Sequence, residues 1–197
     1  LQGFTKKPLG KEFLAGNEFE VTVYGSAGDI DPFVPQVDRI ANFYGLQRFG
    51  SERLVTHLVG KEIVKRDFAR AVHLLLCYTT EYDTDASREI RKKCEDPASY
   101  RQALRTVPRG MDIERQLLSA LVAGRGPVSA LRAAPITIRR LFVQAYQAYI
   151  FNRCLSRAIA EGEEISRPQA GDLCFKMEGP ATFGRVKKFD PQPGVKM

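Results

Sequence analysis

Nine consecutive residues, Asn42-Phe43-Tyr44-Gly45-Leu46-Gln47-Arg48-Phe49-Gly50, hold three aromatic rings, two carboxamides, one guanidinium and two glycines. The rings offer flat faces for stacking. The carboxamides offer donor and acceptor edges, and the guanidinium suits a phosphate or a carboxylate. These are the groups that hold a nucleobase splayed out of its strand. The stretch is a poor helix, since two glycines cost roughly 1 kcal/mol each in a helix interior. It is a poor strand too, because the aromatics do not alternate with polar residues. It reads as a tight, aromatic-lined loop in which Gly45 and Gly50 take backbone conformations that other residues resist.

The elements that must position this loop follow from the flanking pattern. Residues 19–24 alternate, with Phe19, Val21 and Val23 on one face, and predict a strand. Asp31 reads as a helix N-cap with Pro32 at the first helical position. Phe33, Val37, Ile40 and Ala41 then follow helical spacing. This helix delivers Asn42, and Gly45 is expected to close it as a left-handed cap. Beyond Gly50 the pattern turns helical: Ser51 caps a helix over 52–65, broken or bent at Gly60. Further helices are expected over 68–78, 87–94, 98–104 and 112–122. Gly124-Arg125-Gly126-Pro127 reads as a hard stop. The longest helical pattern runs over 137–160. Leu141, Ala145, Ala148, Leu155 and Ile159 lie on one face, and Phe142, Tyr146, Tyr149 and Arg153 on another. Residues 171–177 and 181–189 read as two short strands around Glu178-Gly179-Pro180.

The loop closely resembles the Asn-aromatic-aromatic-Gly-x-Gln-Arg-Phe-Gly signature of the TruD family of pseudouridine synthases. Three further stretches agree. Gly16-Asn17-Glu18-Phe19 resembles the family's Gly-Asn-x-Phe strand entry, and Gly171-Asp172-Leu173 its Gly-Asp-hydrophobic entry. Ala145-Tyr146-Gln147-Ala148-Tyr149-Ile150-Phe151-Asn152 resembles Ala-Tyr-Gln-Ser-Tyr-Leu-Phe-Asn. The resemblance implies an α+β fold in which the end of a pseudouridine-synthase catalytic domain (strand, helix, aromatic loop), residues 1–52, is followed by a mostly helical α+β insertion domain, residues 53–197, with short strands near 171–189. It implies an isomerase that converts a uridine of tRNA, in most members uridine 13, to pseudouridine, with no cofactor and no metal. The family's nucleophilic aspartate lies in a Gly-x-Lys-Asp-x-x-Ala motif upstream of the strand at Phe19. This sequence has no such motif, so no catalytic residue is assigned in it. The chain reads as an internal piece of the family pattern, expected to be inactive in isolation.

Composition is consistent with that reading. The 197 residues are 44% hydrophobic, enough for a real core, and the first is not Met. Net charge is +7, from 30 basic and 23 acidic residues, which suits a polyanionic partner. Apolar runs are broken by charges before 18 residues, so no membrane span is expected. Residues 1–11 lack the apolar core of a signal peptide. Cys77, Cys94, Cys154 and Cys174 lie far apart with no C-x-x-C pair, which favours reduced, mostly buried thiols in a cytoplasmic protein over a zinc site or disulfide framework. With two histidines, His57 and His73, histidine-based chemistry is not expected.

Within the loop, Tyr44 is the residue expected to stack on the target base, the alternative being a core aromatic at a helix end. Asn42 suits either a uracil edge or a backbone cap. Arg48 suits a phosphate or the family's catalytic carboxylate, Gln47 a bracing role, and Phe43 and Phe49 packing. Gln147 and Asn152 sit in an otherwise apolar helix, where buried carboxamides need partners. Arg88, Arg91, Lys92, Lys93, Arg139, Arg140, Lys187 and Lys188 are candidate phosphate contacts, weighed against the commoner solvated face. Two rival readings are a non-catalytic RNA-binding module and a helical interaction domain.

Overall fold

The computed structural model describes residues 20, 22, 24, 25, 28, 32, 40–50, 53–179 and 182–190. The strand expected over 19–24 and the helix over 31–41 lie largely outside the described residues. The chain divides into two compact units, one of residues Ala41–Ala160 and one of Leu1–Ile40 with Glu161–Met197.

The first unit is helical. Its elements are α1 (Leu46–Phe49), α2 (Thr56–Val64), α3 (Phe68–Cys77), α4 (Asp85–Lys93), a 3-10 turn (Pro97–Ser99), α5 (Tyr100–Thr106), α6 (Asp112–Val122), α7 (Pro127–Ala133) and α8 (Ile136–Ala160). Side-chain caps account for several starts. Asp67 accepts from Arg70 N–H at α3, and Thr84 accepts from Ser87 N–H at α4. The Thr84 cap starts α4 two residues before the expected position. Pro127 opens α7, which the breaker cluster hid: a proline at the first helical position loses no hydrogen bond.

α2 lies along α8 and also packs on α3. Gly60 makes the α2–α8 contact possible. A Cβ there would lie 1.9 Å from the Phe142 carbonyl oxygen. The expected break at Gly60 is therefore absent. α2 runs through it, and the missing side chain serves helix–helix approach. Val59, Leu76, Cys94, Leu117 and Leu118 are fully buried at the centre of the unit. On α8, Phe142, Ala145 and Ala148 are buried, whereas Ile159 is 45% exposed, so the inward stripe favours the first half of the helix.

A buried ionic cluster ties α3, α4 and α6 together. Arg91 is 3% exposed. It donates from Nε to Asp83 Oδ1 at 2.9 Å, from one terminal nitrogen to Glu114 Oε1 at 3.1 Å and from the other to the Leu75 carbonyl at 3.1 Å. Arg53 reaches the same Glu114 oxygen at 3.2 Å and the Tyr78 carbonyl at 2.7 Å. Burial, then the neighbouring Arg91 charge, pulls Arg53 down to about 10. Arg91 is thus not a phosphate contact. Its donors are spent on the Leu75 carbonyl and two carboxylates.

Cys77 and Cys94 are buried, and burial pushes their thiols up to about 12 and about 11. Cys174 is half-buried, but Cys154 is exposed, so the thiols are less uniformly buried than expected. Among the described residues no helix is long and apolar enough to cross a membrane.

In the second unit, β1 (Leu173–Gly179) and β2 (Thr182–Lys188) form an antiparallel pair with Leu173 opposite Lys188 and Phe175 opposite Val186. The pair is closed at its open end by Gly171 N–H to the Phe189 carbonyl at 2.9 Å. Helices and a small sheet together give the expected α+β class.

Candidate functional site

The aromatic loop leans on α8, and a carboxamide holds it there. Asn152 accepts from Tyr44 N–H at 2.9 Å and donates from Nδ2 to the Tyr44 carbonyl at 2.9 Å. A side-chain amide thus satisfies both backbone groups of the residue expected to meet the base. The Tyr44 ring meets Phe151 edge-on, with centroids 5.5 Å apart. The Arg48 guanidinium lies over the same ring, 5.4 Å from its centroid, within cation–π range.

Inside the loop the chain makes one helical turn, α1, which local propensity does not favour. Gly45 is extended (φ −81°, ψ 177°) and precedes this turn instead of closing a helix in the left-handed region. Gly50 carries the positive φ, 94°. A Cβ at Gly50 would also lie 2.8 Å from Thr56 Oγ1, so both conformation and space require glycine there. Phe49 then meets His57 of α2 edge-on at 5.3 Å, and His57 stacks on Tyr149 of α8 at 5.0 Å. The loop is therefore fixed at two points on α8: at Asn152 through hydrogen bonds and at Tyr149 through His57. Burial holds the His57 imidazole below its ordinary value, and its buried Nδ1 has no hydrogen-bond partner among the described residues.

Two hollows open beside Tyr44. One, about 390 Å³, is lined by Tyr44, Arg48, Gln144, Gln147, Ala148 and Phe151. The other, about 500 Å³, is lined by Tyr44, Gly45, Gln47, Arg48 and Leu141. Both combine ring faces, carboxamide edges and a cation with no carboxylate partner among the described residues. Such a set can stack on a flat heterocycle, read its edge and neutralise a phosphate.

Of the residues singled out in the sequence, Tyr44, Gln47 and Arg48 come together at these hollows. Asn42 is exposed and its side chain has no hydrogen-bond partner among the described residues, so no capping role is seen. Gln47 likewise is exposed and braces nothing there. Phe43 is 42% exposed, not core. Gln147 is exposed at the hollow and not buried. Asn152 has the structural role expected of it, but the partner is the loop.

Among the basic candidates, Arg88 pairs with Asp85 at 3.2 Å and Lys93 with Glu89 at 2.7 Å, while Lys92 is exposed without an ion-pair partner among the described residues. Arg139 donates from Nε to the Ala134 carbonyl at 3.1 Å, and Arg140 is exposed. Lys187 and Lys188 are exposed on β2.

Residue-by-residue reading missed His57, Phe151 and Gln144. Only Phe151 carried a signal, through its neighbour Asn152 in a family-like segment.

A family model described as tRNA pseudouridine synthase D (TruD) matches residues 1–192. The chain belongs to the TruD family. Among relatives, a "Probable tRNA pseudouridine synthase D" of Methanopyrus kandleri is 38% identical over 179 residues, covering 87% of this chain and 44% of the relative. The Archaeoglobus fulgidus protein of the same name is 33% identical, covering 88% and 43%. A crystal structure of a TruD from Methanosarcina mazei superposes with a TM-score of 0.68 at 34% identity, covering 75% of this chain and 35% of that one. The chain thus spans less than half the length of these TruD relatives. Two of the segments that resemble the TruD family, 42–50 and 145–152, meet in space through Tyr44 and Asn152.

Proposed function

We propose that the whole protein isomerises a uridine of tRNA, uridine 13 being the family's usual target, to pseudouridine, and that the loop with α8 walls the pocket for the flipped base. The Asn152–Tyr44 clamp beside two hollows carries this reading, because it presents an aromatic face in a fixed position. In the reaction the N1–C1′ bond breaks, the base turns, C5 bonds to C1′, and the C5 proton is lost. A carboxylate must form an adduct with, or stabilise, the separated centre. With no Gly-x-Lys-Asp here, that carboxylate is assigned to residues outside this sequence. Tyr44 would stack on the base, Gln47, Gln144 and Gln147 offer edge contacts, Asn42 faces the entering strand, and Arg48 takes a phosphate or the carboxylate. In this reading residues 1–52 belong to the catalytic domain and 53–197 to an insertion domain; the run of helices from Thr56 onward supports the change of character there, whereas the compact units divide at Ala41 and Glu161.

The tRNA backbone is proposed to continue over a groove of apolar residues, Phe68, Leu131 and Val143 among them, which is rimmed by Arg132, Arg139 and Arg140. None of these three arginines has a carboxylate partner among the described residues. Such cations favour phosphates and give binding a steep salt dependence.

The test is tritium release from tRNA labelled at uridine C5, using the full-length protein and its Tyr44→Ala variant. Release by the parent and loss of most of it in the variant supports the reading. Tight, salt-dependent binding without release supports an RNA-binding module instead.

A further inference from the structure

His73 and Cys77 stand four residues apart on α3, so their side chains leave the same face. Glu95, just past the end of α4, reaches the same place. A ring nitrogen of His73, the Cys77 sulfur and a carboxylate oxygen of Glu95 all lie within 4.8 Å of one another. None of the three side chains has a hydrogen-bond or ion-pair partner among the described residues, and none lines the hollows beside Tyr44. Three strong metal donors therefore converge without an assigned role.

We propose that His73, Cys77 and Glu95 form a zinc(II) site. With metal–sulfur and metal–nitrogen bonds of about 2.3 and 2.0 Å, tetrahedral ligand atoms lie roughly 3–4 Å apart. The present spread closes to that value by a small rotamer change, which the exposed Glu95 is free to make. A cavity of about 330 Å³, with Thr79 and Tyr78 in its wall, opens at the three donors and has room for a water as fourth ligand. A thiolate, a carboxylate and a neutral imidazole around a divalent ion sum to zero charge, so Arg70, which shares the cavity, does not oppose the assembled centre. On coordination the Cys77 thiol gives its proton to solvent and its sulfur bonds to the metal. The pairing across α3 and the end of α4 would pin the start of the 3-10 turn, next to the buried ionic cluster. The site escapes a spacing search because 17 residues separate Cys77 from Glu95, counted from their positions.

The test is titration of the full-length, chelator-treated protein with cobalt(II), followed by displacement with zinc(II). One equivalent is expected to produce intense tetrahedral ligand-field bands and a thiolate-to-cobalt charge-transfer band. Cys77→Ser should abolish the charge-transfer band. Glu95→Gln, a surface change that leaves the fold and uridine isomerisation intact, should weaken metal binding roughly tenfold or more. A weak octahedral spectrum, or unchanged affinity in both Glu95→Gln and Cys77→Ser, overturns the site. Either result is independent of whether the protein makes pseudouridine.

Discussion

Asn152 spans both backbone groups of Tyr44, with two hydrogen bonds of 2.9 Å between residues 108 positions apart. Backbone N–H and C=O groups outside regular structure need partners from side chains or water. Here one carboxamide satisfies both and leaves the ring to face Phe151, Arg48 and the hollows.

Removing that clamp should cost catalysis more than folding. Asn152→Ala deletes two hydrogen bonds, about 1–3 kcal/mol in sum, and should lower kcat/KM for uridine isomerisation by roughly 5- to 150-fold. Asn152→Asp should do worse, because it sets a carboxylate oxygen against the Tyr44 carbonyl. Steady-state kinetics on the full-length protein checks this; a wild-type kcat/KM in Asn152→Ala means the loop is positioned by other contacts. Tyr44→Phe keeps the ring face and should remain close to wild type.

Gly60→Ala should destabilise the protein by at least roughly 1–3 kcal/mol, the usual cost of overpacking. The added methyl meets the backbone of Phe142, which cannot swing aside as a side chain could. Urea unfolding should show a lower midpoint at an unchanged slope.

Two arginines that look alike in sequence should behave oppositely. Arg91→Met leaves Asp83 buried without its cation and should cost roughly 3–5 kcal/mol of stability. It should leave the salt dependence of tRNA binding unchanged. Arg140→Ala should spare stability and reduce the slope of log affinity against log salt by about one. Thermal melts and binding titrations across a salt series distinguish the two.

His57 predicts a pH dependence. Burial holds its imidazole below the ordinary 6.5, so the fold favours the neutral ring. Below that pH the unfolded chain takes up a proton that the folded chain resists. The contribution is complete above 6.5 and is lost as pH falls from there toward the depressed folded-state value. His57→Phe keeps a ring between Phe49 and Tyr149 and should flatten this part of the stability profile. Urea midpoints measured from neutral to mildly acidic pH test it.

What the sequence alone determined were the features written into local pattern. Apolar spacing over 112–122 and 137–160 located α6 and α8 to within a residue, and the turn signal near 178–180 located the β1–β2 pair to within two. The motif over 42–50 marked the loop and its chemistry, since the residue types there suit few other uses. Tertiary structure alone decided which groups those patterns face. A helical stripe shows that a face is apolar, but not which helix crosses it, so Gly60 read as a break and proved to be a point of contact. A basic residue on a short helix is equally plausible in solvent or in an ion pair. Only the folding of α6 against α3 and α4 brings Glu114 to Arg91. Asn152 needed a partner, but the partner lay 108 residues away. Contacts of that range leave no trace in local periodicity, because they depend on how the chain returns on itself.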